Sequence, residues 1–179
     1  MTEPRLFHQS GYALAFLGLC GVVMLIKLLP LGTQAQGLPA PDLVLALIFA
    51  WMMRRPDLLP LGLIVLVVLA GDLLLMRPPG LWTAIVVLAT EALRKRQKRL
   101  RTLSLLAEIG LFAAAMSAMT GLYWLILSLT FADQPGLGAQ LLRMPVTVAV
   151  YPLAMLTCAG PLGLRRRAAA DGFDRGSRR

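Results

Sequence analysis

The sequence has almost none of the side chains from which catalytic and metal sites are usually built. Its one histidine, His8, stands in a polar stretch at the N-terminus, so no apolar segment supplies a histidine ligand or a histidine acid–base pair. The two cysteines, Cys20 and Cys158, lie within apolar runs and form no CxxC pair. We therefore expect both to be small core residues rather than a disulfide or metal ligands.

Catalytic motifs and long polar segments are missing as well. The sequence contains no GxSxG, HExxH, P-loop or GxGxxG pattern, and its serines within or beside apolar runs have no plausible base. The longest polar segments run for about ten to fifteen residues, which leaves no room for a separate soluble domain. We expect no enzyme, and no catalytic, cofactor-binding or metal-binding residues.

What the sequence has in abundance is apolar residues. Hydrophobic side chains make up 58% of the 179 residues, and the mean hydropathy of +0.72 is typical of an integral membrane protein. The charges collect between six apolar segments, which are 11–31, 38–53, 58–76, 80–93, 105–131 and 141–164. The first, fifth and sixth reach the roughly 20 residues that a membrane-spanning helix needs, and the third nearly does.

These segments predict an all-α integral membrane protein, a compact bundle of six transmembrane helices over 11–164. Residues 1–10 are predicted to be a cytoplasmic tail, and residues 165–179 a disordered, basic cytoplasmic tail. The short second and fourth segments fit either buried core helices or half-spanning segments. For the first segment a cleaved signal peptide is the alternative, since Thr33 and Ala35 suit a cleavage site, but its length and Lys27 favour retention.

The distribution of positive charge predicts the topology. Lys and Arg collect at the N-terminus, in the second and fourth connections and in the C-terminal tail. The alternate connections carry Asp42 and Asp133, with only Arg77 and Arg143 as flanking cations. The positive-inside rule then places both termini in the cytoplasm, which six crossings satisfy.

The most basic stretch, RKRQKRLR at 94–101, is predicted to be a cytoplasmic loop. It has no interleaved aromatic residues and no recognisable nucleic-acid-binding fold around it, so we expect no nucleic-acid partner. Its side chains anchor the topology and can also contact anionic lipids, at about 1 kcal/mol per basic residue, or an acidic partner. The basic residues of this loop are Arg94, Lys95, Arg96, Lys98, Arg99 and Arg101.

Two glutamates lie near the cytoplasmic ends of predicted helices. Glu91 precedes basic residues by three and four positions, a spacing that favours a local ion pair. Glu108 starts the fifth segment and can extend toward Arg99 or Arg101 in the basic loop. Neither glutamate is expected to be functional.

Lys27 and Asp72 are different, because both lie about four residues inside the outer ends of their predicted helices. An Asp in an apolar helix costs roughly 2.5–3.5 kcal/mol at the bilayer centre, so it needs partners. We predict that Asp72 faces the protein interior. There it is expected to bond Lys27 or Arg77, together with backbone N–H groups left free at the following turn. These bonds would fix the angle between the third and fourth helices.

Small residues recur at intervals of four on two predicted helices. They are Gly11 and Ala15 on the first, and Gly110, Ala114 and Ala118 on the fifth. This spacing lets neighbouring backbones approach closely, and it favours a packing face inside the bundle.

Three stretches carry short motifs in a fixed order: APDLVLALIFAWMMRRPD at 40–57, LAGDLLLMRPPGLWTAIVVLATEALR at 69–94 and VTVAVYPLAML at 146–156. Together they resemble the MreD family of bacterial rod shape-determining membrane proteins. That family shows a Pro-Asp pair at the start of its second helix, an Asp-Leu pair late in the third, and a Pro preceded by an aromatic in the last. The matching residues are Pro41 with Asp42, Asp72 with Leu73, and Tyr151 with Pro152.

One motif departs from the family and another predicts a break. Arg77, Pro78 and Pro79 replace the small, Gly- or Ser-containing turn usual between the third and fourth helices. Pro152 is expected to interrupt the last helix and to free a backbone carbonyl. From the chemistry of the residues and from the family resemblance, we predict structural or partner-related roles for seven residues. They are Lys27, Pro41, Asp42, Asp72, Arg77, Tyr151 and Pro152.

The resemblance implies a function that composition alone does not. It implies a fold similar to the substrate-binding components of ECF-type vitamin transporters, placed in the bacterial inner (cytoplasmic) membrane. The implied role is a non-catalytic scaffold of the cell-wall elongation complex that supports rod shape. Its implied partners are MreC, RodA and a class B penicillin-binding protein, with RodZ and the MreB filament as further ones.

Two other functions stay open. A small solute-binding transporter subunit of similar fold would need a polar cavity, and the apolar interior offers only Lys27, Asp72 and a few hydroxyl or amide groups to line one. A membrane-embedded enzyme of lipid or polyprenyl chemistry would need clustered acidic residues for a metal. Asp72 has no acidic neighbour within a helical turn.

Overall fold

The protein is all-helical in the part of the chain that the computed structural model describes, which is residues 3–29, 40–100, 103–130 and 136–159. Each predicted apolar segment contains one helix, so the all-α prediction is confirmed. A short 3-10 turn, Pro56–Leu58, follows the second helix. The helices are α1 Glu3–Leu28, α2 Leu43–Arg54, α3 Leu61–Leu74, α4 Leu81–Lys95, α5 Gln97–Leu100, α6 Leu105–Leu129 and α7 Leu137–Ala159.

Several predicted features fall at or beyond the ends of the described residues. Helix α1 begins at Glu3, so it extends into the segment 1–10 that was predicted to be a tail. The predicted C-terminal tail, 165–179, lies outside the described residues, as do Thr33, Ala35 and Arg101. The side chains of Lys98 and Arg99 in α5 are likewise outside the description.

Three of the helices are long and apolar enough to cross a membrane. The candidate stretches are Gly11–Leu28, Leu105–Leu129 and Gln140–Cys158, and only a minority of the residues in each is fully buried. Helices α2 and α3 are apolar but shorter. The 12 residues of α2 extend for about 18 Å, less than the roughly 30 Å of a hydrocarbon core. Six full crossings therefore stay a prediction.

Helix α2 forms the centre of the bundle. Ten consecutive residues of this helix are buried, so it is apolar all round, as a core helix is expected to be. It packs most extensively against α7 and also contacts α1 and α4. Edge-to-face aromatic pairs join it to its neighbours: Phe16 to Trp51 at 5.2 Å between ring centroids, and Phe49 to Phe112 at 5.3 Å.

Helices α3 and α4 form an antiparallel hairpin around the Arg-Pro-Pro-Gly turn. The Arg77 N–H donates to the carbonyl of Asp72 at 3.0 Å and closes the end of α3. Gly80 precedes α4 with φ of 88°, a left-handed conformation that an L side chain would strain. The hairpin packs through α4 on α6, and through α3 on α1.

The small-residue stripe of α6 does not face the bundle interior, and that prediction was wrong. Gly110, Ala114 and Ala118 are all exposed, and a side chain added at Gly110 would meet nothing. Gly11 on α1 is exposed as well, with Ala15 half-buried. The spacing identified a common face correctly, but the larger residues of α6 occupy the side that packs inward.

Pro152 does not interrupt the last helix. Helix α7 runs from Leu137 to Ala159 and contains both Pro145 and Pro152. Proline inside a helix lacks the N–H that would bond the carbonyl four residues earlier, which here belongs to Leu141 and to Val148. Neighbouring groups can satisfy such carbonyls in a membrane bundle, so the helix continues.

The two ends of α4 test the predicted topology. Met76 in the turn before α4 is 94% exposed, and Arg96 just after α4 is also exposed. We expect an impermeant thiol reagent to label Met76→Cys in intact cells, but to label Arg96→Cys only after the membrane is opened. The unchanged chain is the control, because Cys20 and Cys158 are buried. Labelling of Arg96→Cys in intact cells would contradict both termini being cytoplasmic.

Candidate functional site

A cluster of charged residues lies at one end of the bundle. Helices α1, α3 and α6 end there, and α2, α4 and α7 begin there; we call it the Asp42 end. The cluster draws together five residues from α1, α3, α7 and the connections before α2 and α4: Lys27, Asp42, Asp72, Arg77 and Arg143. Four of them were predicted to matter, and Arg143 was predicted only as a flanking cation.

Asp42 is the hub of this cluster and is 6% exposed. It caps α2: its Oδ1 accepts from the Leu45 N–H at 3.5 Å and from the Lys27 ammonium at 3.3 Å. Its Oδ2 accepts from Arg143 Nη2 at 3.2 Å. The Asp42 N–H donates to the Thr147 hydroxyl at 3.0 Å, and that hydroxyl donates to the Arg143 carbonyl at 2.7 Å. One residue thus connects α1, α2 and α7.

Local sequence explains why Asp42 caps α2. An Asp directly before an apolar run is a typical N-cap, because its carboxylate accepts from N–H groups that the first turn leaves free. Pro41 comes just before it and has no N–H that would need a partner at this half-buried position. The contact with Arg143 has no comparable sequence signal, because 101 residues separate the two.

Asp72 faces the interior, as predicted, and is 0% exposed. Its Oδ2 accepts from the Thr83 N–H at 3.1 Å and from the Thr83 hydroxyl at 2.8 Å. Thr83 is the third residue of α4, so its N–H is one of the donors that a helix start leaves free. The positive end of the α4 dipole adds to the attraction. The predicted tie between α3 and α4 through free backbone N–H groups is therefore present.

The predicted cationic partners of Asp72 were wrong. Lys27 pairs with Asp42 instead, and the Arg77 side chain forms no ion pair within the described residues. The Arg77 guanidinium lies over the ring of Trp82, 5.8 Å from its centroid. Lys27 and Asp72 only border the same small cavity of about 30 Å³, roughly the volume of one water molecule.

A second polar cluster lies at the opposite end of the bundle around Glu108, which is 2% exposed. The Tyr151 hydroxyl donates to Glu108 Oε1 at 3.0 Å, and Arg54 Nη1 lies 3.7 Å from the same oxygen. Tyr151 also stacks on Phe112 at 4.2 Å between centroids. Glu108 is thus part of the core rather than an interfacial residue. The predicted partner Arg101 lies outside the described residues, and the Arg99 side chain is not described.

The predicted local pair of Glu91 is confirmed. Arg94 Nε lies 3.4 Å from Glu91 Oε1, and both side chains are partly exposed. Arg94 also donates to the Leu59 carbonyl at 2.8 Å. Arg94 was predicted to lie in the basic loop, but it belongs to the last turn of α4. It therefore fastens α4 to the connection between α2 and α3.

A cavity of about 260 Å³ opens beside Asp42. Its walls come from the α3–α4 turn and from α4, α6 and α7, and Arg77, Trp82, Tyr123 and Arg143 are among the residues that line it. Trp82 packs edge-to-face on Tyr123, with 5.5 Å between centroids. Sequence reasoning missed this cavity, because its polar residues come from helix ends that are far apart in the chain.

The described residues contain no group of three or more His, Cys, Asp or Glu that could hold a metal ion. That the protein needs no cofactor and is not an enzyme stays a prediction. Comparison with known protein families, with curated proteins and with solved structures found no match. Functional inference for this chain therefore depends on its own residues and on the motifs they form.

Removing the Asp42 charge should destabilise the bundle strongly. Asp42→Asn leaves Lys27 and Arg143 with no countercharge in a mostly buried site, and breaking a buried pair costs about 3–5 kcal/mol. We expect a loss of about this size in unfolding measurements on detergent-solubilised protein. Glu91→Gln is the control, since its exposed pair should contribute no more than about 1 kcal/mol. Equal losses in the two variants would contradict the role of Asp42 as a buried hub.

A double-mutant cycle separates the two candidate partners of Asp72. We expect Asp72→Ala and Thr83→Val to be coupled by roughly 1.5 kcal/mol, because together they remove a hydrogen bond to a charged group. Asp72→Ala and Lys27→Met share no direct contact and should be additive within about 0.5 kcal/mol. The measurement is the free energy of unfolding in detergent. Strong coupling between Asp72 and Lys27 would contradict this geometry and support the ion pair that was predicted from the sequence.

Proposed function

We propose that this protein is a non-catalytic membrane scaffold of the bacterial cell-wall elongation complex. It would cross the inner membrane six times with both termini in the cytoplasm, in a fold like that of ECF-type substrate-binding components. Its partners would be MreC, RodA and a class B penicillin-binding protein. RodZ and MreB would approach from the cytoplasmic side, where the basic loop also meets anionic lipids.

The proposal is carried by one observation: the polar residues of the three motifs that resemble the MreD family join helices to one another. Asp42 joins α2 to α1 and α7, Asp72 joins α3 to α4, and Tyr151 joins α7 to α6 through Glu108. Between them, these contacts involve each of the six longest helices. The polar residues of the motifs are used to hold helices in position, which is what a scaffold requires.

An exposed face of α6 supports the same proposal. Its small residues Gly110, Ala114, Ser117, Ala118 and Gly121 are all exposed, and they follow one side of the helix for about three turns. Small residues facing lipid lose contacts that a neighbouring helix would supply, and such stripes are common where transmembrane helices associate. A transmembrane helix of a partner fits this face.

Substitutions on that face test the proposal. We expect Ala114→Leu with Ala118→Leu to reduce co-purification of MreC and the synthase pair by at least about tenfold, which corresponds to about 1.4 kcal/mol. Cells that depend on this variant should become round. The matched control is Ala84→Leu, which adds the same bulk at an exposed alanine of α4 and should preserve both binding and rod shape.

Depletion of the protein distinguishes the scaffold from the solute-binding alternative. For a scaffold, depleted cells lose rod shape while solute uptake continues unchanged. A specific uptake defect in cells of normal shape would contradict the scaffold and favour a transporter subunit. Retained partner binding by the Ala114→Leu, Ala118→Leu variant would contradict only the assignment of the α6 face.

A further inference from the structure

The cavity at the Asp42 end has more positive than negative charge around it. Arg77 and Arg143 both line the cavity, and Lys27 lies against the same carboxylate of Asp42. Asp42 is the only carboxylate among the described residues that line it. Among the groups that line the cavity, two arginines face one carboxylate, and counting Lys27 and Asp72 of the same cluster leaves the same excess of one positive charge. The local charge therefore favours an anion.

Two arginines have guanidinium N–H groups that find no acceptor among the described residues. Arg143 uses Nη2 on Asp42, and its buried Nε has no hydrogen-bond partner. Arg77 lies on the face of Trp82 and forms no ion pair in the described part of the chain. A guanidinium without an ion-pair partner keeps N–H groups available, and these match the oxygens of a phosphate or carboxylate.

The helix ends around the cavity favour the same charge. Trp82 belongs to the first turn of α4 and Gln140 to the first turn of α7, so two helix N-termini border the cavity. Free N–H groups and the helix dipole make such ends favourable for anions. The Tyr123 hydroxyl and the Gln140 amide are further possible donors in the lining.

We propose that this cavity binds a phosphate group, held between Arg77 and Arg143. Phosphate is favoured over a carboxylate because its additional oxygens can accept from two arginines on different elements at once. The volume of about 260 Å³ accommodates a phosphate with a small substituent or a few waters, and it lies just below the roughly 300–1,000 Å³ of typical small-ligand sites. The phosphate belongs either to a lipid headgroup or to a water-soluble compound. The site goes beyond the scaffold role, since it is defined on the isolated chain.

Arg77→Gln is the informative variant, because Arg77 takes part in none of the bonds around Asp42. The full-length protein is purified in an uncharged maltoside detergent, and its unfolding temperature without ligand verifies that the variant folds. Arg96→Gln is the control, since Arg96 is exposed beyond the opposite end of α4. Tyr123→Phe serves as a second variant, since it removes the hydroxyl of a residue that lines the cavity.

Two probes distinguish the sources of the phosphate. Inorganic phosphate is titrated by calorimetry, and retention of added phosphatidylglycerol after delipidation is measured by native mass spectrometry. We expect at least one probe to bind with an affinity that falls about tenfold or more in Arg77→Gln, falls less in Tyr123→Phe, and is unchanged in Arg96→Gln.

Each result has a defined meaning. Arg77-dependent binding of inorganic phosphate supports the site with a soluble ligand, and Arg77-dependent retention of phosphatidylglycerol alone supports it with a lipid. Failure of both probes to bind, or equal binding by Arg77→Gln and the unchanged protein, would overturn the proposal. None of these results depends on MreC, the synthases or cell shape, so the phosphate site and the scaffold can fail separately.

Discussion

The bundle depends on the buried carboxylate of Asp42, at the start of α2. This helix is the shortest of the six longer helices. Helix α2 is too short to reach across a membrane, and its N-terminus is buried among α1 and α7. A buried helix start needs acceptors for its free N–H groups, and Asp42 supplies one. Its charge then needs compensation in a site that excludes most water. Lys27 and Arg143 supply it, and in doing so they set where α1 and α7 lie against α2.

Polar contacts have this organising effect because apolar packing alone selects neighbours poorly in a membrane. Lipid tails satisfy a leucine as well as another helix does, so small residues and hydrogen bonds decide which helices meet. Asp72 with Thr83 sets the α3–α4 hairpin, and Glu108 with Tyr151 sets the α6–α7 pair. The buried aromatic rings, such as Phe112 under Tyr151, then fill the space that these contacts define.

The sequence predicted well which segments form helices, and it predicted poorly how those helices are rotated. Hydropathy located all six longer helices, and the cost of an isolated charge correctly placed Asp72 inside. The alternating direction of successive helices also placed Lys27 and Asp72 at the same end of the bundle. The position of a residue along a helix, however, does not give the direction in which its side chain points. Lys27 therefore met Asp42 instead, and the α6 stripe faced outward. Glu108 was assigned to the interface because its tyrosine partner is 43 residues away.

The requirement that stabilises the core also explains why an anion site forms beside it. Compensating Asp42 brings two cations to one end of the bundle, and the hairpin turn places Arg77 next to them without a carboxylate of its own. Arg77 takes part in none of the described ion pairs, and its guanidinium lies over the ring of Trp82 instead. Structure and ligand binding therefore overlap at one residue of the cluster, Arg143. Asp42, Lys27 and Arg143 hold the helices, and Arg77 supplies the charge that remains for an anion.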